Sequence, residues 1–256
     1  MIQLRRFLTL TAAAVLAASL ASTAPRAAAD EPKFFHIEPA RPVAELLPIA
    51  LAATPPAESG EFRKSDLVEL TALDPTIKLD IRYATARNFI GTPVYSQARA
   101  FLQRPAAEAL VRVNKSLAKE GYGLLVHDAY RPWYVTKLFW DATPPAKHDF
   151  VADPAAGSRH NRGCAVDLTL YTLRDGKPVE MPSLYDEMSE RAYPDYAGGP
   201  AEPRRLRDLL RRHMEAEGFS VYRSEWWHYD YRDWKHYAIQ NVRFEEIGAS
   251  AMSPTR

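Results

Sequence analysis

The strongest constraint on the fold is a ten-residue segment, Ser158 to Asp167, with the sequence Ser-Arg-His-Asn-Arg-Gly-Cys-Ala-Val-Asp. Gly163 lies inside it, and glycine adopts backbone angles that other residues avoid, so the segment favours a loop that turns into a strand. Apolar and polar side chains alternate from Ala165 to Leu170, which predicts that strand directly. Because alternate side chains of a strand point to opposite faces, Asp167 is expected to face a cleft while its apolar neighbours enter the core.

A second polar cluster follows about sixty residues later, where the chain has the sequence Glu225-Trp226-Trp227-His228. The aromatic run from His228 to Tyr231 predicts a second strand. In a regular strand Glu225 and His228 would point to opposite faces, because they are three residues apart. We therefore expect a turn or bulge at Trp226-Trp227 that brings the two side chains together.

The two clusters supply two histidines and two carboxylates, a donor set that can hold a catalytic zinc. Such a site uses three N or O ligands and leaves the fourth position to water. The pattern predicts one zinc per chain, with His160, Asp167 and His228 as ligands and Glu225 as the base. A single histidine in a chain with seven is more often a surface or packing residue. The zinc hypothesis therefore rests on the two clusters together and not on any one histidine. Neither cluster has the His-Glu-x-x-His spacing of a common metalloprotease helix.

The pattern Ser-x-His-x-x-Gly-x-Ala-x-Asp, followed by Glu-x-x-His, resembles the zinc D-Ala-D-Ala dipeptidases of the VanX type. These belong to the wider group of M15-like D,D- and L,D-peptidases that act on bacterial cell-wall peptides. The resemblance covers roughly residues 65 to 240. Three further segments match in the same order: Tyr83-Ala84-Thr85 with Asn88-Phe89 and Gly91, Asp128-Ala129-Tyr130-Arg131-Pro132, and Tyr185-Asp186-Glu187-Met188. The segments with Tyr83 and Asp186 point to the dipeptidase branch.

The resemblance implies the same zinc ligands, His160, Asp167 and His228, and Glu225 as the catalytic base. It also implies that Arg131 faces the reacting carbonyl and stabilises its developing negative charge. By itself the sequence leaves a second interpretation of Arg131 open. Its position before a proline is also typical of a turn in which an arginine pairs with a surface carboxylate.

The resemblance implies substrate contacts as well. Ser158 resembles the residue that contacts the substrate carboxylate, and Tyr83 and Asp186 resemble residues near the free amino end of the dipeptide. Asp186 is equally compatible with a helix N-cap, a position that aspartate favours. Cys164 stands where a small residue such as serine is expected, and we expect it to be buried. His127, next to the Arg131 segment, could orient that segment.

The implied activity is zinc-dependent hydrolysis of D-Ala-D-Ala, or of a related cell-wall peptide, to release D-alanine. Two alternatives remain open at the level of sequence. One is a D,D- or L,D-carboxypeptidase that trims peptidoglycan stem peptides with the same metal site, and substrate length separates it from a dipeptidase. The other is a non-catalytic module that binds peptidoglycan. Glu225 and Arg131 argue against that module, because neither is needed merely to hold a metal.

Residues 1–29 predict a secretory signal peptide, with Arg5-Arg6, an uncharged run from Phe7 to Leu20 and a small-residue cleavage site at Ala27-Ala28-Ala29. The run is too short for a confident membrane span, and no cysteine near the cleavage site could accept lipid. We expect export to the bacterial periplasm or the exterior, without a stable membrane anchor after cleavage. Arg5-Arg6 leaves the choice of export route open.

Removal of the signal would leave 30 basic against 32 acidic residues, a balance that implies no nucleic acid or other polyanion as partner. The sole cysteine, Cys164, excludes an internal disulfide, so the core must stabilise the domain.

Residues 30–62 are rich in proline and alanine and are expected to form a linker or loosely draped arm without regular structure. Residues 63–243 are predicted to be the catalytic domain and residues 244–256 a C-terminal tail. Within the domain the pattern predicts a half-buried strand from Ile77 to Tyr83, helices over 105–120 and 204–218, and a strand over 123–127. The irregular order of these elements favours an α+β fold, with a small, mostly antiparallel sheet flanked by helices and the zinc site in a cleft on the sheet.

Overall fold

The computed structural model describes residues 33–247. The predicted signal peptide, residues 1–29, and residues 248–256 of the predicted tail lie outside the described residues. Five α-helices occur in the described part: α1 (Val43–Ala52), α2 (Leu70–Leu73), α3 (Arg104–Ala118), α4 (Trp133–Ala142) and α5 (Ala201–Ala216). Its seven strands are β1 (Leu67–Glu69), β2 (Lys78–Leu79), β3 (Phe101–Gln103), β4 (Tyr122–Asp128), β5 (Ala165–Thr172), β6 (Phe219–Tyr222) and β7 (Glu225–Tyr231).

The main sheet has five strands in the order β2-β4-β5-β7-β6. The β2–β4 pair is parallel, and the other three pairs are antiparallel. A separate antiparallel pair joins β1 to β3. Helices α3 and α5 pack against the sheet and against each other. This arrangement confirms the predicted α+β fold with a small, mostly antiparallel sheet flanked by helices.

Both long helices follow the predicted periodicity closely. On α3 the apolar stripe of Leu110, Val113 and Leu117 is fully buried, and α5 buries Leu206, Leu209, Leu210 and Met214. A stripe that returns every three to four residues forms one face of a helix, and burying it stabilises the helix against the sheet. None of the helices in the described residues is long and apolar enough to cross a membrane.

The predicted strand from Ile77 to Tyr83 is shorter than expected. Ile77, Ile81 and Tyr83 are buried as the alternation requires, but regular pairing covers Lys78–Leu79 alone, and residues 82–84 form a 3-10 turn. The Tyr83 carbonyl accepts hydrogen bonds from the amides of residues 94 and 95. The chain therefore leaves the sheet at this point and places Tyr83 in a loop.

The prediction that residues 30–62 lack regular structure is wrong for α1. Pro42 precedes its first residue, where a proline is tolerated, and Pro48 lies inside the helix. Val43, Leu46 and Ala50 form its buried face, and α1 packs against α4. The apolar stripe thus outweighs the poor helix propensity of proline in this segment. The proposed domain boundaries at 63 and 243 stay predictions.

The expected irregularity between Glu225 and His228 is present in β7. Val221 of β6 pairs with Tyr229, but the next residue, Tyr222, pairs with Glu225, so the register shifts across residues 226–228. A bulge of this kind rotates the side chains that precede it. Glu225 Oε2 consequently lies 3.6 Å from His228 Nδ1.

Candidate active site

Three buried side chains converge above neighbouring strands of the main sheet. Asp167 on β5 is paired in register with His228 on β7, and His160 comes from the turn that leads into β5. Asp167 Oδ1 lies 3.2 Å from His160 Nε2 and 3.0 Å from His228 Nδ1, and the two ring nitrogens are 3.1 Å apart. One carboxylate oxygen and two imidazole nitrogens therefore face a common point, as the sequence predicted.

His160 is held by its backbone and by its second ring nitrogen. Residues 160–162 form a 3-10 turn that ends at Gly163 with φ of 68°, and a Cβ at Gly163 would lie 2.5 Å from Leu67 Cδ2. The backbone angle favours glycine, and a Cβ here would also displace the Leu67 side chain. His160 Nδ1 lies 2.7 Å from the Ala129 carbonyl oxygen and donates to it, which leaves the lone pair of Nε2 facing the common point.

His228 is fixed in the same way by a residue on its own strand. His228 Nε2 lies 2.9 Å from Asp230 Oδ1, two residues further along β7 and therefore on the same face. Donation of this N–H to Asp230 leaves Nδ1 as the free donor atom. Metal-binding histidines commonly donate their other ring N–H to a carboxylate or carbonyl in this manner.

The two oxygens of Asp167 have different surroundings. Oδ2 accepts a 2.8 Å hydrogen bond from the Tyr185 hydroxyl, whereas Oδ1 is buried without a hydrogen-bond partner among the described residues. Burial acts to raise the pKa of Asp167, but His160 and His228 hold it well below its usual range. An orphaned, ionised oxygen beside two imidazole nitrogens is a donor set that a divalent metal ion satisfies, so the residues fit a metal such as zinc.

Glu225 lies at the edge of this donor set, at the beginning of β7. Burial raises the pKa of Glu225 to about 7, although the neighbouring His228 acts in the opposite direction. A carboxyl group with a pKa near neutrality can both accept and return a proton. Its position and its pKa suit the predicted role of a base.

Arg131 is buried, which excludes the alternative of a turn paired with a surface carboxylate. Its guanidinium forms two hydrogen bonds to Asp128 Oδ2, of 2.9 Å from Nε and 2.8 Å from Nη2. The same group lies over the rings of Tyr83 and Phe139, 5.3 Å and 4.9 Å from their centroids. Arg131 is therefore a fixed cation, and its Nη2 lies 3.7 Å from Asp167 Oδ2.

The predicted ligands, Glu225 and Arg131 face one cleft, and every candidate site residue predicted from the sequence lines it. Ser158 borders the cleft beside His160, whose backbone amide donates to the Ser158 hydroxyl oxygen at 3.2 Å. Trp227 also lines the cleft, while Trp226 donates its indole N–H to Ser183 and belongs to the core.

Asp186 does not cap a helix, so that alternative is wrong. Its backbone is in the left-handed region, with φ of 61°, and the Tyr83 hydroxyl lies 3.1 Å and 3.0 Å from its two carboxylate oxygens. Burial, followed by the charges of Asp167 and Glu225, raises the pKa of Asp186 well above its usual range. These surroundings disfavour the ionised form of Asp186, and a cationic ligand in the cleft would stabilise that form.

Three residues of the site were not predicted from the sequence: Asp128, Tyr185 and Asp230. Asp230 carries a recognisable signal, since it lies two residues after a predicted ligand in a predicted strand. Tyr185 precedes Asp186, and Asp128 ends β4 opposite Asp167. Both lie in segments that match the family, but the sequence alone assigned neither side chain a role. The imidazole of His127 lies 3.3 Å from the Asp80 carbonyl oxygen and packs against the Tyr185 ring at 4.8 Å between centroids. Cys164 is fully buried as expected, and burial raises the pKa of its thiol to about 12.

Comparison with known proteins gives the family of the chain. The D-Ala-D-Ala dipeptidase family of M15 peptidases matches residues 63–247. The chain belongs to this family. It is therefore a metallopeptidase that hydrolyses a dipeptide, and the donor set around Asp167 is where the structure offers a metal its ligands.

Several curated relatives of this M15 peptidase are D-alanyl-D-alanine dipeptidases. The protein of Escherichia coli is 36% identical over 65% of this chain and 84% of its own length. Those of Enterococcus faecium and Enterococcus faecalis are 37% and 38% identical, over 61% and 60% of this chain and 87% and 85% of their own lengths. The solved structure of the LdcB LD-carboxypeptidase is a weaker match, with 19% identity and a TM-score of 0.37 over 72% of this chain and 79% of that one.

Proposed function

We propose that this M15 peptidase hydrolyses D-Ala-D-Ala to two molecules of D-alanine with one zinc ion, held by His160, Asp167 and His228. The observation that carries the proposal is the orphaned Oδ1 of Asp167, which faces two imidazole nitrogens in a buried cleft. Nitrogen and oxygen donors in a set of three are typical of catalytic zinc, which keeps one position open. When bound, zinc supplies an acidified water and polarises the scissile carbonyl.

Glu225 is proposed as the general base and then the general acid. Its carboxylate takes a proton from the attacking water, and the carboxylic acid then returns that proton to the leaving amine nitrogen. The second transfer matters because an unprotonated amine is a poor leaving group. A pKa of about 7 suits both transfers at neutral pH, since neither protonation state is strongly favoured.

Arg131 is proposed to stabilise the negative charge that develops on the amide oxygen. Its two hydrogen bonds to Asp128 and its position over two aromatic rings fix the guanidinium before substrate arrives. A group that needs no reorganisation stabilises the transition state more than the ground state. Asp128 is thereby a positioning residue for Arg131.

Asp186 and Tyr83 are proposed to recognise the ammonium group of the dipeptide, and Ser158 its carboxylate. A buried carboxylate next to the Tyr83 hydroxyl favours a ligand with a positive charge at this end. A stem peptide lacks a free amine at the corresponding position. The proposed specificity is therefore for free dipeptides over the longer peptides that a carboxypeptidase accepts.

The test is release of D-alanine from D-Ala-D-Ala and from a muramyl pentapeptide by purified protein, after chelation and again after zinc is added back. We expect zinc-dependent release from the dipeptide and little release from the pentapeptide. Release from the pentapeptide would support the carboxypeptidase alternative instead. No release from either substrate by zinc-loaded protein would favour another peptide substrate or the peptidoglycan-binding module.

We also propose that the protein is exported to the periplasm or the exterior without a membrane anchor. The support is the sequence of residues 1–29, with its paired arginines, uncharged run and small-residue cleavage site. Cell fractionation tests this proposal: the intact chain is expected outside the cytoplasm, and a chain lacking residues 2–29 is expected to remain inside.

A further inference from the structure

The proposed substrate carries one ammonium group and one carboxylate, and we expect the cleft to supply an opposite charge for each. Its described lining contains two guanidinium groups, those of Arg131 and Arg159. Arg131 is hydrogen-bonded to Asp128 and is proposed to stabilise the reacting carbonyl. Arg159 is therefore the remaining arginine of the lining that can bind the carboxylate of the substrate.

Arg159 lies between two residues of the site in sequence and in space. It follows Ser158 and precedes His160, and its backbone is helical at the entry to the 3-10 turn. Its side chain shares the cleft lining with both neighbours. The Ser158 hydroxyl, in the same lining, accepts a hydrogen bond from His160 N and keeps its own proton available to a ligand.

The Arg159 guanidinium is held in place but keeps its hydrogen-bonding capacity. It lies over the rings of Tyr222 and Trp234, 5.6 Å and 4.9 Å from their centroids, and such contacts fix a planar cation. Its Nε lies 3.5 Å from Asp230 Oδ2 and has no hydrogen-bond partner within residues 33–247. The side chain is 36% exposed and lines the cleft, so a ligand in the cleft can reach it.

We infer that Arg159, together with Ser158, binds the C-terminal carboxylate of the substrate and makes the enzyme select dipeptides with a free carboxylate. This inference rests on the proposed function. A planar guanidinium matches a carboxylate with two parallel hydrogen bonds. With Asp186 at the ammonium group, the two charged ends of the substrate then meet opposite charges on either side of the scissile bond.

A purely structural role for Arg159 predicts different kinetics. The guanidinium adjoins Asp230, which holds His228, so its loss could disturb the metal position instead of substrate binding. That disturbance would lower kcat for every substrate alike and reduce zinc content. Loss of a carboxylate contact acts on KM, and only for substrates that carry the carboxylate.

The experiment compares D-Ala-D-Ala with its C-terminal amide in the wild type, Arg159→Gln and Arg159→Met, with zinc content measured for each protein. We expect KM for the dipeptide to rise about 10- to 100-fold in both variants, as for loss of hydrogen bonds to a charged group. KM for the amide and both kcat values are expected to change little. Arg159→Met keeps the apolar contact with the two rings, so either zinc-loaded variant decides the question. Arg174→Gln, which removes an exposed arginine outside the cleft lining, is the matched control and is expected to behave as the wild type.

An equal loss on acid and amide, or no loss on either, would overturn the role of Arg159 while leaving the proposed function intact. If the wild-type protein cleaves neither compound, the proposed function fails and the inference fails with it. A wild type that cleaves the dipeptide and a variant that no longer prefers it over the amide support both.

Discussion

The hydroxyl of Tyr185 is 2.8 Å from Asp167 Oδ2, and this contact decides which oxygen of Asp167 is left for a metal. A carboxylate can rotate and offer either oxygen. With Oδ2 engaged, Oδ1 is directed at the two imidazole nitrogens. Asp230 and the Ala129 carbonyl likewise orient the rings of His228 and His160, because each accepts a hydrogen bond from the ring nitrogen that faces away from the common point. Each proposed ligand thus has its second polar atom occupied, which sets the geometry of the site before metal binds.

Replacement of Tyr185 by phenylalanine removes this hydrogen bond and keeps the ring. We expect zinc affinity to fall about 10- to 100-fold, the usual effect of losing a contact that orients a ligand. Competition against a fluorescent chelator measures it. Tyr171→Phe is the matched control, because the Tyr171 hydroxyl donates to the Thr76 carbonyl away from the cleft. Equal affinities in the two variants would contradict the orienting role.

The Glu225→Gln variant distinguishes loss of the general base from loss of the metal. Glutamine keeps the shape of the side chain but cannot take up the proton. We expect kcat to fall about 100- to 10,000-fold, the usual contribution of a general base, with zinc content unchanged. D-alanine release and metal analysis on the same sample give both quantities. Near wild-type turnover with zinc bound would show that another group is the base.

At the scale of elements, the irregular part of β7 does what a regular strand could not. Glu225 and His228 are three residues apart, yet the register shift across residues 226–228 brings them within 3.6 Å. The bulge was predicted because the proposed base, Glu225, and the proposed ligand, His228, must lie close together. The same strand then continues regularly to Asp230, so His228 and Asp230 share a face. One strand therefore carries a proposed ligand, its orienting carboxylate and the proposed base.

Helix α1 belongs to the core despite its composition. Leu46 is 1% exposed, whereas Leu51 on the same helix is 37% exposed. We expect Leu46→Ala to lower the free energy of unfolding by about 2–5 kcal/mol, as for other buried leucines. Leu51→Ala is expected to change it by no more than about 0.5 kcal/mol. Urea denaturation of the two variants makes the comparison, and equal small effects would mean that α1 does not contribute to the stability of the domain.

The local patterns predicted α3, α5, β4 and β5 because each follows one period of apolar residues over its whole length. The donor set was predicted for a related reason, since its members lie beside those elements or one bulge away. The pattern failed where tertiary contacts decide the conformation. The Tyr83 segment leaves the sheet to bond residues 94 and 95, and α1 forms because α4 covers it. Tyr185 and Asp128 lie near the predicted residues Asp186 and Arg131, but their roles were not assigned. A sequence does not show that the Tyr185 hydroxyl donates to Asp167 or that Asp128 pairs with Arg131.

At the scale of the whole molecule, the domain buries ionisable groups beyond those proposed for catalysis, and His127 is the clearest case. It is 3% exposed, and burial, followed by the charge of Arg82, lowers its pKa to about 4. The unfolded chain has a histidine pKa of about 6.5. Between these values the unfolded state binds a proton that the folded state does not. The stability that neutral His127 contributes is thus complete above about pH 6.5 and is lost as the pH falls toward 4.

We therefore expect the wild type to lose about 3 kcal/mol more stability than His127→Asn between pH 7 and pH 4, because each unit of pKa shift is worth about 1.4 kcal/mol. Urea denaturation at several pH values measures the difference, and proton uptake at the metal site cancels because both proteins share it. His236→Asn is the control, since His236 is exposed, and it is expected to keep the wild-type slope. Parallel curves for the wild type and His127→Asn would mean that the pKa of His127 is the same in the folded and the unfolded protein.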